Sequence, residues 1–291
     1  MRLVTFRTPS GTSIGSMRDN GDVVDFAADP ELPKTMVEFV AQGHSALERA
    51  AALHASGSAV PAAEVTLLAP IRPRNNIMCI GKNYTEHARE FAGSGFDASQ
   101  TQAVPSHPIV FSKALSSIIG PGDDIDVSAD DTGTSDYEGE LGVVIGEGGI
   151  KISASDAWQH VYGYTVINDM TVRELQKRHV QFFIGKSAAT YCPMGPLIVT
   201  RDEIDDVTTL WVRTRVNGEE RQAAPLSDLI FSIPTLIEVI SASVALEPGD
   251  VIATGTPAGV GIGFDPPRYV LPGDVIEVHV DGIGTLMNVA I

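Results

Sequence analysis

Short apolar runs separated by turn-forming residues dominate the chain from about residue 70 onwards. Runs rich in Val and Ile that are bounded by Gly, Pro or Asp are typical of β-strands. The pattern predicts strands at residues 77–80, 109–111, 141–145, 162–167, 197–199, 210–216, 251–254 and 275–280. Fewer stretches have the three- and four-residue spacing of a helix, and these are residues 84–91, 154–160, 171–179 and 233–241. The predicted class is a β-rich α+β fold.

The first 70 residues differ from the rest and predict a small N-terminal α/β domain. Its predicted elements are strands at 3–6 and 23–26 with a polar turn region between them, a helix over 33–53 and an Ala/Ser/Gly-rich linker over 55–63. Residues 71–291 would then form the larger domain.

Three Pro-Gly-Asp triplets, which begin at Pro121, Pro248 and Pro272, each precede a β-branched run. Pro followed by Gly suits the two central positions of a type II turn. Each triplet is therefore predicted to begin a strand.

Composition narrows the class of protein. A hydrophobic content of 43% is enough for an ordinary core, and a net charge of −17 argues against nucleic acid or an anionic membrane as a partner. The charge fits either an acidic soluble surface or carboxylates gathered around a cation. Cys79 and Cys192 lie among apolar or small residues and predict free thiols, and no run of eighteen apolar residues occurs. A cytoplasmic protein is predicted.

Two glutamates begin the segment DYEGELGVVIG. Glu138 and Glu140 lie two apart, so in a strand they face the same side, where two bare carboxylates would repel each other. A hard divalent cation would remove that conflict. Two water-exposed acids at the start of a strand would explain the pair equally well.

The segment VINDMTVRELQKRH follows an apolar strand with an acid. Asp169 stands where a helix is predicted to begin, which suits either a catalytic or metal-binding acid or a helix N-cap. Arg173 and Gln176 follow at spacings of four and three, so the three side chains would share one helix face.

In NYTEHAREF, His87 and Glu90 are three apart and would face the same side of a helix. A carboxylate that orients an imidazole can act as a general base, although such a pair is also common as a solvated surface contact.

The segment GKSAATYCPMGP resembles the end of a phosphate-binding loop, but Val180 stands where that motif needs its first glycine. Lys186 remains as a single cation in an uncharged stretch, which indicates that it faces acids. The segment ATGTPAGVGIG, which contains Thr256, is a glycine-rich loop that a ligand could approach closely.

Taken in order, these segments resemble the fumarylacetoacetate hydrolase family. The resemblance covers the chain from about residue 70 to the end and lies in the order and spacing of its segments. These segments are IGKNYTEHARE, FSKALSSIIGPGD, DYEGELGVVIG, NDMTVRELQ, GKSAATYCPMGP and GDVIATGTPAGVG. The resemblance implies a mixed β-roll or sandwich core, usually a homodimer, with Mg²⁺, or Mn²⁺ or Ca²⁺, as the metal.

The resemblance also implies roles for individual residues. The metal ligands would be Glu138, Glu140 and Asp169, and the catalytic residues would be His87, Glu90 and Lys186, the first two on a lid over about 83–108. The substrate-binding residues would be Arg173, Gln176, Thr256 and Lys113.

The implied reaction is metal-dependent hydrolysis of a C–C bond in an acylpyruvate or other 2,4-diketo acid, which releases pyruvate through a metal-stabilised enolate. The His87–Glu90 pair favours hydrolysis, because isomerisation needs no activated water. An oxaloacetate decarboxylase or a 2-hydroxy-dienedioate isomerase could use the same site and stays open. So does a non-catalytic protein that binds metal and small keto acids. A small 2-keto acid is the expected partner, and its identity stays open.

Overall fold

The computed structural model describes residues 1–96 and 104–291, and strands make up more of these residues than helices do. The strands of this part, β1 to β19 in chain order, are Arg2–Thr8, Gly11–Met17, Val23–Asp25, Ala59–Val60, Thr66–Leu67, Ile77–Gly81, Ile109–Lys113, Ile118–Ile119, Asp124–Ile125, Ser135–Asp136, Gly139–Ile145, Val161–Asn168, Thr171–Val172, Cys192–Thr200, Trp211–Val216, Glu219–Pro225, Val251–Ala253, Val275–Val280 and Gly284–Ala290. Its α-helices, α1 to α6, are Met36–Gln42, His44–Ser56, Thr85–Gly93, Arg173–His179, Phe183–Lys186 and Ile233–Ser241. The strand-rich prediction is confirmed.

The largest sheet has the order β4-β3-β2-β1-β14-β12-β11-β17-β6-β7, with β5 and β8 paired to β1 and β14. A second sheet has the order β16-β15-β18-β19-β9, and β10 pairs with β13. The N-terminal strands continue the largest sheet, because β1 pairs with β14 from Arg2 opposite Val199.

Alternation along β11 shows how the layers pack. Leu141 and Val143 share a hydrophobic cluster with Val278 of the second sheet, whereas Val144 belongs to a cluster with Phe39 of α1. Successive strand residues point to opposite faces, so the centre of the large sheet is covered on both sides. This double coverage is why the run is apolar throughout, and each such side chain contributes about 1.5–3 kcal/mol when buried.

The Pro-Gly-Asp turns are as predicted. Gly122, Gly249 and Gly273 have φ of 76°, 90° and 93°, and each precedes a strand. Glycine adopts this left-handed region without the steric cost that a side chain would add.

Several predicted boundaries were wrong. The polar region after β1 is a strand, β2, since its residues 11–16 pair with residues 3–8 of β1. The predicted helix over 33–53 is two helices, because Gly43 interrupts it with φ of 60°. The helix predicted from residue 171 begins at Arg173, since Thr171–Val172 pairs with β10. The run 154–160 contains a 3₁₀-helix, Ala157–His160.

In the described ranges, no helix is both long enough and apolar enough to cross a membrane.

Candidate active site

Three carboxylates meet at one end of the β11–β12 pair. Gly139 pairs with Asn168, so Glu138 just before β11 and Asp169 just after β12 lie side by side. The backbone N–H of Asp169 donates to the Glu138 carbonyl at 2.8 Å. With Glu140, each of these acids offers an oxygen within 4.8 Å of the other two, and all three side chains are buried. The strand pairing therefore assembles an acidic cluster inside the protein.

Gly139, between the two glutamates, faces the second sheet. A Cβ there would lie 2.2 Å from Thr214 Oγ1 and 2.9 Å from Val278 Cγ1. A glycine lets the second sheet pack against the start of β11, while the neighbouring side chains on the other face form the cluster.

Three buried cations surround the cluster. Lys186 Nζ lies 2.8 Å from Glu138 Oε2 and 2.8 Å from Asp169 Oδ2, and Lys113 Nζ lies 2.7 Å from Asp169 Oδ1. Arg173 Nη1 lies 2.6 Å from Glu138 Oε1. The structure thus places Lys186 against acids, as its isolation in the sequence indicates.

Glu140 is the acid of the cluster without a Lys or Arg ion pair among the described residues. It accepts a hydrogen bond from the Gly255 N–H at 2.8 Å. Burial raises the pKa of Glu140 well above its usual range, and the charges of Asp169 and Glu138 raise it further. For Glu138, burial also raises the pKa, but Lys186 and Arg173 outweigh it and hold the pKa below its usual range.

The donor set fits a hard divalent cation. Carboxylate oxygens are the ligands that Mg²⁺, Mn²⁺ and Ca²⁺ prefer, and a cation would remove the repulsion that burdens Glu140. The residues that would hold it are Glu138, Glu140 and Asp169. The chemistry of the donors does not choose between these ions.

Arg173 connects the cluster to the glycine-rich loop through Asp136. Arg173 Nε donates to Asp136 Oδ2 at 2.9 Å, and Asp136 accepts from the N–H groups of Gly261 at 2.6 Å and Ile262 at 3.0 Å. Arg173 Nη1 also donates to Gln176 at 3.2 Å, whereas its buried Nη2 has no hydrogen-bond partner among the described residues. Asp136 was missed in the sequence, although its position two residues before Glu138 continues the same alternation.

On α3, His87 is buried and Glu90 is half-buried, so a solvated surface contact does not describe the pair. His87 is 4% exposed, and its Nδ1 lies 3.3 Å from Glu90 Oε2. The Gly259 N–H donates to Glu90 Oε1 at 3.0 Å. Glu90 therefore contacts both the imidazole and the glycine-rich loop.

Thr256 of this loop is held from two sides. Its hydroxyl donates to the Gly139 carbonyl at 3.0 Å and accepts from Gln222 Nε2 at 2.7 Å. Gln222 is buried on β16, a strand that was not predicted because charged residues surround it.

Several of the site residues line one small cavity of about 20 Å³, which has room for roughly one water molecule. Among its lining residues are His87, Glu138, Arg173, Gln176, Lys186 and Thr256. Three further site residues do not line the cavity but lie next to it. Asp169 contacts the lining residue Lys186, Lys113 contacts Asp169, and Glu140 accepts a hydrogen bond from Gly255, the neighbour of Thr256. Of the predicted lid, residues 97–103 lie outside the described residues.

Comparison with known proteins points to a single family. The family profile described as fumarylacetoacetate (FAA) hydrolase C-terminal matches residues 76–290. Oxaloacetate tautomerase YisK of Bacillus subtilis (strain 168) is 54% identical over 226 residues, which cover 77% of this chain and 73% of that protein. The mitochondrial oxaloacetate tautomerase FAHD2A of Homo sapiens is 41% identical over 295 residues, which cover 99% of this chain and 91% of that protein.

Solved structures with a similar fold point to the same family. A fumarylacetoacetate hydrolase from Exiguobacterium antarcticum superposes with a TM-score of 0.85 at 40% identity, covering 100% of this chain and 99% of that one. Maleylpyruvate hydrolase from Sphingobium sp. SYK-6, in complex with manganese(II) and pyruvate, superposes with a TM-score of 0.80 at 28% identity and the same coverage of 100% and 99%. With the profile match and these relatives, the chain belongs to the fumarylacetoacetate hydrolase family.

Proposed function

We propose that this protein is a divalent-metal-dependent enzyme that interconverts the keto and enol forms of oxaloacetate. Two relatives, 54% and 41% identical to this chain over 226 and 295 aligned residues, are named oxaloacetate tautomerases. Tautomerisation moves a proton between C3 and the C2 oxygen, so the site must stabilise an enolate and exchange one proton. The residues around the cavity can supply both.

The observation that carries the proposal is the charge balance of the buried cluster. Asp136 and the three candidate ligands contribute four negative charges, and Lys113, Arg173 and Lys186 contribute three positive ones. The excess of one negative charge becomes one positive charge with a divalent cation, which suits an anionic keto acid. When bound, that cation would supply a Lewis acid for the keto oxygen.

The side chains that line the cavity suit particular steps. The Lys186 ammonium favours negative charge as it develops on the C2 oxygen. Arg173, with its buried Nη2, and the nearby Gln176 can bind the C1 carboxylate. These groups would orient the substrate for proton transfer.

His87 is the best candidate to move the proton. Its Nδ1 faces Glu90, which leaves Nε2 as the nitrogen that exchanges a proton with C3. A carboxylate behind an imidazole stabilises the protonated form that follows proton uptake. Because the cavity is smaller than any keto acid, we expect α3, which carries this pair, to move when substrate enters.

C–C hydrolysis of an acylpyruvate, with Mg²⁺, is the second candidate. The His87–Glu90 contact favours it, since the same pair could activate a water molecule. Oxaloacetate decarboxylation and dienedioate isomerisation pass through a similar enolate, so they are compared in the same experiment.

The experiment follows enol absorbance after solid enol-oxaloacetate is dissolved with Mg²⁺-loaded protein, and measures pyruvate separately. We expect accelerated loss of enol without pyruvate, and no acceleration after EDTA. His87→Asn should lose the activity, whereas His44→Asn, at an exposed site on α2, should keep it. Pyruvate from oxaloacetate would instead indicate a decarboxylase, and pyruvate from an acylpyruvate would indicate a hydrolase. Tight oxalate binding with no turnover of any keto acid would contradict an enzymatic function and favour a binding protein.

A further inference from the structure

Gln222 is a buried amide that bonds to two separate parts of the site. It lies on β16 and is 1% exposed. Its Oε1 accepts from the Gly139 N–H at 3.0 Å, and its Nε2 donates at 2.7 Å to both Thr256 Oγ1 and the Pro257 carbonyl. One side chain of the second sheet therefore joins the start of β11 to the glycine-rich loop.

The backbone partners of Gln222 determine which end of the amide is oxygen and which is nitrogen. The Gly139 N–H can only donate, so it faces the oxygen, and the Pro257 carbonyl can only accept, so it faces the nitrogen. The same nitrogen therefore donates to Thr256 Oγ1. The Thr256 hydroxyl proton is left for the Gly139 carbonyl, 3.0 Å away. Gln222 thus orients the Thr256 hydroxyl towards β11.

Gly139, the residue that this network holds, lies between two of the candidate metal ligands, Glu138 and Glu140. Its N–H is bound by Gln222 and its carbonyl by Thr256. These two groups belong to the two peptide units that join the glutamates. The network therefore fixes the backbone from which both carboxylates extend.

The glycine-rich loop also orients the Glu140 carboxylate directly. The N–H of Gly255, the neighbour of Thr256, donates to Glu140 Oε2 at 2.8 Å. Glu138 contacts two buried cations, whereas Glu140 forms no ion pair with Lys or Arg in the described part of the chain. The orientation of Glu140 therefore depends more strongly on the loop, which Gln222 holds at the next two residues.

We propose that Gln222 is a positioning residue of the metal site, which sets the positions of Glu138 and Glu140 through Gly139 and Thr256. The inference rests on the metal dependence in the proposed function, but it concerns the affinity for the metal and not the reaction. Residues that support metal ligands from outside the coordination sphere typically change metal affinity by about 10- to 100-fold when they are replaced.

Titration of metal-free protein with Mn²⁺, followed by the electron paramagnetic resonance signal of the free ion, measures this affinity. Gln222→Met keeps the length of the side chain and removes its three hydrogen bonds, so we expect the Kd for Mn²⁺ to rise about 10- to 100-fold. Gln42→Met, the same substitution at an exposed position on α1, is the matched control and should keep the wild-type Kd. Each titration is run well below the melting temperature of the variant, so that the folded protein is compared.

Thr256 tests the network from its other end, and it decides the question if Gln222→Met does not fold. Thr256→Val removes the hydroxyl and should raise the Kd within the same range, whereas Thr256→Ser keeps the hydroxyl and should keep the wild-type Kd. Because the two residues act through one network, the double variant Gln222→Met/Thr256→Val should bind Mn²⁺ about as strongly as the weaker-binding single variant.

A wild-type Kd in folded Gln222→Met or in Thr256→Val would overturn the assignment, even if the melting temperature falls, because the residue would then only stabilise the fold. Losses that add fully in the double variant, or no Mn²⁺ binding to the wild type, would also overturn it. The titration does not depend on turnover. If wild-type protein leaves enol-oxaloacetate unchanged but its Mn²⁺ affinity depends on Gln222, the proposed function fails and the assignment stands. Metal-dependent turnover with no effect of Gln222→Met on the Kd gives the reverse result.

Discussion

The backbone N–H of Gly259 donates a hydrogen bond to the Glu90 carboxylate at 3.0 Å, although 169 residues separate them. The other oxygen of the same carboxylate lies 3.3 Å from His87 Nδ1. One side chain therefore joins α3 to the glycine-rich loop and orients the candidate base. We infer that the position of this loop and the activity of His87 depend on each other.

Gly263→Ala should disturb this arrangement without removing either functional side chain. A Cβ at residue 263 would lie 1.8 Å from Glu90 Oε1, so the carboxylate must leave its position. We expect kcat to fall by about 10²- to 10⁴-fold, the range of general acid–base catalysis, with a small change in melting temperature. Gly93→Ala is the control, because a Cβ there meets no atom within 4 Å. Wild-type kcat in Gly263→Ala would show that Glu90 need not face His87.

Asp136→Ala should cost stability because it leaves buried groups unpaired. Arg173 would lose its Nε partner, and the N–H groups of Gly261 and Ile262 would lose their acceptor. Removing one partner of a buried ion pair costs about 3–5 kcal/mol. Urea unfolding should show this loss, whereas Asp131→Ala, at an exposed position in the preceding turn, should change the free energy of unfolding by less than about 0.5 kcal/mol. If Asp136→Ala also changes the free energy of unfolding by less than about 0.5 kcal/mol, the hydrogen bonds of Asp136 contribute little to stability.

Removal of metal should lower the stability of the wild type and leave Glu138→Gln unaffected. A ligand that binds only the folded state adds about 2.7 kcal/mol at a hundredfold excess over its Kd. EDTA-treated wild type should therefore gain stability in thermal unfolding when Mn²⁺ is restored, and Glu138→Gln should not. Glu147→Gln, at an exposed position just beyond strand β11, is the matched control and should respond like the wild type. Equal responses in wild type and Glu138→Gln would place any metal elsewhere.

Local patterns in the sequence predicted the central strands and their turns. Leu141 to Ile145 are apolar because two layers cover them, and the Pro-Gly-Asp turns depend only on adjacent residues. The cluster of Glu138, Glu140 and Asp169 also follows from two adjacent strands. Each of these features leaves a pattern in neighbouring residues, even where the layers that cover a strand come from distant parts of the chain.

Other features could not be read from local patterns. Asp136 accepts from a backbone N–H that is 125 residues away, and Asn83 donates to the Thr254 carbonyl, which is 171 residues away. Strand β2 was missed because its polar and glycine residues become a strand only when β1 pairs with them. The domain boundary near residue 70, the homodimer, the cytoplasmic location and the choice of Mg²⁺ stay predictions.

Anomalous scattering at the manganese edge, from crystals of the wild-type protein grown with Mn²⁺, tests the central claim most directly. We predict one strong peak within coordination distance, about 2.0–2.6 Å, of oxygens from Glu138, Glu140 and Asp169. Crystals of Glu138→Gln grown in the same way should lack it. The absence of a peak at this cluster in the wild type, with Lys113, Lys186 and Arg173 still paired to the carboxylates, would contradict a metal-dependent site.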